Sequence, residues 1–205
     1  MAAEAAIIEG ARNAEAAGVK VASFRDMTVA LGHMEQQTKR LDELFTRFAT
    51  DSSGMTPENV KDMLKAANFG IEPTDEEVAF IIAVSDDNRD GSVQRSECNA
   101  AVKYWTEYTS HKSSAQARME KHKKPGASGL TREDLKECLI SLGHEMGLEG
   151  KEASITDGGL KIMWTRSSVL KKDYLSTPEL SLAIIEWQET LSRRKPERSK
   201  SCALQ

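Results

Sequence analysis

Aromatic residues make up only 5% of this 205-residue chain, and it has no apolar run long enough to cross a bilayer. Runs rich in Val, Ile and Tyr are scarce while helix formers fill most windows, which predicts an all-α fold. Cysteine is sparse and unpaired in pattern. Cys98, Cys138 and Cys202 are odd in number, far apart and without a C-x-x-C, which excludes a disulfide framework and points to a reducing compartment. Charge of one sign is also missing. Charged residues are 29% of the chain but the net charge is only −4, so no global field selects nucleic acid as a partner. The four histidines, His33, His111, His122 and His144, are scattered, and no Ser/His/Asp set, Cys/His set or phosphate loop accompanies them. Catalysis is therefore not expected. Glu4 and Glu9 interrupt any apolar core near the start, and no basic flank precedes it, so those residues do not read as a secretory signal. Ala2 excludes N-myristoylation. The expectation is a soluble cytoplasmic protein.

What is present is concentrated in one stretch. Residues 86–97 read DDNRDGSVQRSE and fit D-x-[DN]-x-[DN]-G-x5-E at every constrained position. Calcium is a hard cation that takes six to eight oxygens at about 2.3–2.6 Å, so a chain that binds it must curl around it. Asp86, Asn88 and Asp90 offer side-chain oxygens from alternate residues, and Gly91 permits the sharp turn. Ser92 offers its backbone carbonyl, Gln94 a contact relayed through water, and Glu97 both carboxylate oxygens. The expectation is a single Ca2+ site, with Mg2+ as an alternative occupant. Arg89 and Arg95 lie inside the loop and weaken its field.

An internal repeat sets the architecture around this loop. Residues 54–64, GMTPENVKDML, recur at 129–139 as GLTREDLKECL, with five of eleven positions identical and four conservative. In each copy a Gly closes a loop and Thr56 or Thr131 caps a helix. Val60 and Leu64, or Leu135 and Leu139, then form a buried stripe. Pro57 occupies the first helical position, where its missing N–H costs nothing. The segment ending at Glu179 aligns with the segment ending at Glu97.

On the loop at 86–97 and this repeat, the chain resembles the calmodulin and troponin C superfamily over about residues 35–191. The resemblance implies four EF-hand helix-loop-helix units in two paired lobes. It divides the chain into an N-terminal extension (1–34), an EF-hand pair (35–106), a helical linker (107–126), a second pair (127–191) and a basic tail (192–205). Leu41, Leu44, Phe45 and Phe48 stand where an entering helix has its apolar face. Thr74 and Glu77 form a capping box ahead of Val78, Ile81 and Ile82. Cys98, Ala101, Val102 and Trp105 form the inner face of the helix leaving the loop, and Leu180, Ile184, Trp187 and Leu191 recur at helical spacing.

The other three loops lack a ligand set. The first, about 49–59, keeps only Asp51 and Ser53; the third, about 124–134, carries Lys, Pro, Gly, Ala and Ser at ligand positions. The fourth, 168–179, has Leu170 and Lys172 at ligand positions and Asp173 at the turn. These units are expected to be structural braces, with Met55 and Met63 contributing to any apolar groove that calcium opens.

The chain ends Cys202-Ala203-Leu204-Gln205, which fits a prenylation motif, behind Arg193, Arg194, Lys195, Arg198 and Lys200. A lipid on Cys202 and a basic segment are two weak anchors that together hold a protein on an anionic membrane surface. The sequence therefore points to a non-enzymatic calcium sensor that binds a target helix and is tethered through its tail. The alternative is a light-chain-like subunit that clamps a partner helix permanently, with at most one structural ion.

Overall fold

The computed structural model describes residues 36, 38–49, 54–68, 70–150 and 152–194. It divides into two units, residues 1–47 and 48–205. Helix α1 begins by residue 38 and ends at residue 48, at the boundary of the two units, with Phe45 buried and Leu41 and Leu44 partly so. The expected extension 1–34 lies outside the described residues.

The second unit is helical, as the composition predicts. Helix α2 (Pro57–Ala67) starts at Thr56, whose side chain accepts the Asn59 N–H at 3.4 Å, with Pro57 in the first turn. Helix α3 (Asp75–Ser85) begins with the expected capping box: Glu77 N–H donates to Thr74 at 3.3 Å and Thr74 N–H to Glu77 at 2.8 Å. Helix α4 (Cys98–His122) is the longest, and Lys123 caps it before the turn at Gly126. Helix α5 (Arg132–Glu145) has a second capping box, Thr131 with Asp134. Helix α6 (Asp157–Ser167) is capped by Thr156 through the Gly159 N–H at 3.1 Å, and helix α7 (Thr177–Arg194) follows.

Among the described residues there are no strands, but two isolated antiparallel bridges join loops. Met55 pairs with Val93 (N–O 2.9 and 3.2 Å), and Leu130 with Leu175 (3.0 and 2.8 Å). All four side chains are fully buried. These bridges explain the glycine that opens each repeat. Gly54 has φ +104°, and a Cβ there would sit 2.6 Å from Ser92 Oγ. A Cβ on Gly129 would collide with the Leu175 carbonyl. Glycine lets the two loop backbones approach.

One contiguous apolar cluster runs from Ala115 and Met119 of α4 through Leu135, Leu139, Leu142, Leu160 and Leu175 to Trp187 and Leu191. Trp187 Nε1 donates to the Leu139 carbonyl at 2.7 Å, so its indole is buried without an orphaned donor. The buried residues of the preceding half, including Met55, Val60, Leu64, Ile81, Val93 and Trp105, stand outside that cluster. Met55 and Met63 are both 0% exposed, so in this conformation they are core and line no open groove.

The stretch 107–126 belongs to the packing, since Tyr108, Ala115 and Met119 on it are buried. α4 packs along α7 as well as on α3 and α5, and α3 also touches α7. A polar tie reinforces this. Lys172 Nζ, from the loop before α7, meets Glu76 at the start of α3 at 2.7 Å, with the ammonium 5.2 Å from the Tyr174 ring centre.

Candidate metal centre

The loop 86–97 hangs between two well-specified helices. The capping box fixes the start of α3, and Glu77 does more than cap: buried, it accepts from Tyr108 Oη at 2.6 Å and pairs with Lys112 at 2.7 Å, both on α4. Burial pushes the Glu77 carboxyl up, but the hydrogen bonds from Lys112, Tyr108 and the Thr74 N–H outweigh it and leave its pKa lowered. The Tyr108 hydroxyl is driven the other way by its burial and by the carboxylate it faces. The helices on either side of the loop are thus held together at the end remote from it.

α3 ends at Ser85, and Asp86 is its C-cap. From there the chain curls through two left-handed residues, Arg89 at φ 60° and Gly91 at φ 80°. For Gly91 that conformation carries no penalty; for Arg89 it costs roughly 1–2 kcal/mol, which the loop's hydrogen bonds must offset. They are dense. Asp86 accepts the Asp90 N–H at 3.2 Å and the Gly91 N–H at 2.8 Å. Asn88 Oδ1 accepts the Asp90 N–H at 2.9 Å. Asp90 Oδ1 takes both the N–H and O–H of Ser92, and its Oδ2 the amides of Asn88 and Gln94, all between 2.7 and 2.9 Å. Those donors, Ser92 first, hold the Asp90 carboxyl down at about 2, so it is an anion at any physiological pH.

The twelfth residue is arranged differently. Glu97 is only 5% exposed, and its two oxygens accept the Asp87 and Gln94 N–H groups, each at 2.9 Å. Asp86, Asn88, Asp90, Ser92 and Gln94 are therefore drawn into one hydrogen-bonded turn, while Glu97 is committed to backbone amides. Among the described residues no group of three or more His, Cys, Asp or Glu side chains forms a ready-made cage. The donor set is nevertheless all oxygen, two carboxylates and an amide on the turn with a third carboxylate beside it, which suits a hard divalent cation.

The third and fourth loops are held by protein contacts of their own. Glu179, at the position matching Glu97, is 0% exposed and accepts from Leu170 N–H (2.8 Å), Ser176 N–H (2.9 Å) and Ser176 O–H (2.7 Å). Lys171 in that loop repeats the left-handed kink of Arg89 at φ 53°. In the third loop Lys124 Nζ lies 3.6 Å from the buried Asp134 carboxylate, which also accepts the Thr131 N–H at 3.0 Å. In the first, residues 50–53 lie outside the described residues, and so does Cys202. The roles of Glu179 and of the two lysines were hidden in the sequence. Their only signal was their place in the repeat, a charged residue at a loop position that lacks ligands around it.

Neither a scan against protein-family models nor a search of the curated proteins finds a match to this chain. No described helix is long and apolar enough to cross a membrane.

Proposed function

We propose that this protein is a calcium-binding regulator of EF-hand type, with one competent loop and three that brace it. The observation that carries the reading is the loop at 86–97, an oxygen-lined turn pinned to a neighbouring loop by the Met55–Val93 bridge. Asp86, Asn88 and Asp90 would ligate through their side chains, Ser92 through its carbonyl, Gln94 through water and Glu97 through both oxygens. The bound ion would supply a fixed divalent charge at the centre of the turn.

The regulatory step then belongs to Glu97. It is the residue from which α4 begins, and it has no side-chain capping bond to the helix it starts. To ligate, its carboxylate must release the Asp87 and Gln94 amides and move toward Asp86 and Asp90. That movement carries the first turn of α4 with it, and with the turn the buried face made by Cys98, Ala101 and Trp105. An apolar face moved in this way is what a partner helix would recognise. The protein acts by binding, and no nucleic acid is expected among its partners. Lipid on Cys202, and with it attachment to the cytoplasmic face of a membrane, completes the proposal; intact-mass measurement of the protein purified from its own cells tests that part.

A second reading rests on a specific observation. The fourth loop is closed by the buried Glu179 carboxylate on the Leu170 and Ser176 N–H groups and lacks the ligand residues of 86–97, as a permanent clamp on a partner helix would require. In that reading the ion at 86–97 is cement. Calorimetric titration separates the two. A sensor binds one calcium in the micromolar range in the presence of physiological magnesium, and Glu97→Gln abolishes the heat. Magnesium competing calcium away contradicts the sensor and leaves the clamp.

A further inference from the structure

A small cavity lies where α3, α4 and α7 meet, away from the loop at 86–97. Its volume is about 160 Å3, and its apolar wall is Phe80 of α3, Tyr104 and Tyr108 of α4, and Leu182 and Ile185 of α7. Phe80 and Tyr108, 1% and 3% exposed, form the floor, with ring centres 6.2 Å apart. Two polar groups on the wall are already committed elsewhere: the Tyr108 hydroxyl donates to Glu77, and the Ser181 hydroxyl to the Pro178 carbonyl at 2.7 Å. Lys112, which lies over the Tyr108 ring, is paired with the same Glu77.

Two carboxylates complete the lining, and neither is fully committed. Glu107 of α4 is half-buried and makes no ion pair. Glu186 of α7 gives its Oε1 to Arg166 at 3.2 Å, while its Oε2 is buried and accepts no hydrogen bond. No described basic residue lines the cavity. Uncompensated negative charge beside an apolar floor selects a ligand with a cationic end and an apolar body.

We propose that this cavity binds a small primary amine carrying one aromatic ring. The size fits, since an apolar cavity of roughly 150 Å3 holds one benzene ring. Phe80 and Tyr108 offer that ring aromatic neighbours, which it can meet edge to face. The half-buried carboxylates mark the solvent edge of the cavity, so a short tether brings the ammonium to Glu107 and Glu186. There it supplies the donor that Glu186 lacks, and the half-buried Tyr104 ring offers it a π face. The ligand would pin α7 to α3 and α4, and its binding requires neither a metal ion nor a lipid.

The test is a titration of the full chain with 2-phenylethylamine in the presence of a calcium chelator, so that the result does not depend on the reading of the loop. The readout is the methyl resonances of Leu182 and Ile185. The comparison ligand is 2-phenylethanol, nearly the same shape with a neutral hydroxyl in place of the ammonium. The amine should shift both methyls and bind about ten-fold or more tightly than the alcohol. Glu107→Gln and Glu186→Gln should each weaken the amine by about three-fold or more and leave the alcohol unchanged. Both carboxylates are half-buried, so these variants fold, which circular dichroism checks. Methyls that stay still at about 10 mM amine, enough to saturate a site of about 1 mM, overturn the proposal. Equal affinity for amine and alcohol also overturns it, since the cavity would then select only an apolar ring. Amine binding that neither variant weakens does so too, because the ammonium would then lie elsewhere.

Discussion

Removing Glu179 should destabilise the protein heavily, and equally with and without calcium. Its carboxylate is fully buried and accepts three hydrogen bonds, from the Leu170 N–H, the Ser176 N–H and the Ser176 O–H. A hydrogen bond to a charged acceptor contributes about 1.5–3 kcal/mol, and a buried donor left without its acceptor costs about 1–3 kcal/mol. The Ser176 hydroxyl can rotate to a new partner, but the two amides are fixed by the backbone. Glu179→Ala should therefore cost about 3–5 kcal/mol, and Glu179→Gln about 1–3 kcal/mol, because its amide nitrogen must face one of the donors. With a urea dependence of about 2 kcal/mol/M, the Ala variant moves the midpoint down by roughly 1.5–2.5 M. The matched experiment is Glu97→Gln, at the equivalent position and 5% exposed. In chelator it should resemble Glu179→Gln. In saturating calcium its deficit should widen, since wild type gains binding energy that the variant does not. A loss below about 1 kcal/mol for Glu179→Ala would refute the idea that this carboxylate closes the fourth loop.

Other outcomes follow from single contacts. Gly54→Ala forces a left-handed backbone on a side chain that meets Ser92 Oγ, so urea unfolding should show a loss of about 1–3 kcal/mol and weaker calcium binding. Lys172→Ala removes a partly exposed pair with Glu76 and should cost under about 1 kcal/mol, readable as a melting shift of a few degrees; a larger loss would mean the two halves depend on that tie. Glu77 has a folded pKa below its ordinary value, so its contribution is present above the unfolded carboxylate pKa and is lost as pH falls through the folded one. Stability of Glu77→Gln against acid should therefore fall less steeply below about pH 4.5 than that of wild type.

The features legible in the sequence were those with a short-range cause. Thr74 with Glu77 announces a helix start because capping acts over three residues, and the repeat of 54–64 at 129–139 announces Thr56 and Thr131. Thr156, which caps α6 just as well, was missed because Gly158 and Gly159 follow it and obscure the helical period. The twelve-residue loop was legible because each position carries its own steric or chemical demand. Its internal economy was not. Nothing local says that Glu97 rests on the Asp87 and Gln94 amides, because that depends on how α4 leaves the loop. Lys172 and Glu76 lie 96 residues apart and meet only because α7 packs on α4 and α3. Met55 reads from the sequence chiefly as core, with a groove opened by calcium as the other possibility; it is buried at a loop bridge, where its apolar character seals a backbone contact.

The most direct test of the account is a calcium titration followed by amide resonances. The Gly91 N–H, which donates to Asp86, and the Asp87 and Gln94 N–H groups, which donate to Glu97, report the two halves of the proposed event. All three should move together and saturate at one equivalent, while the Leu170 and Ser176 amides on Glu179 stay still. Amides at 86–97 that do not respond to calcium, or that respond no more than those around Glu179, would contradict it.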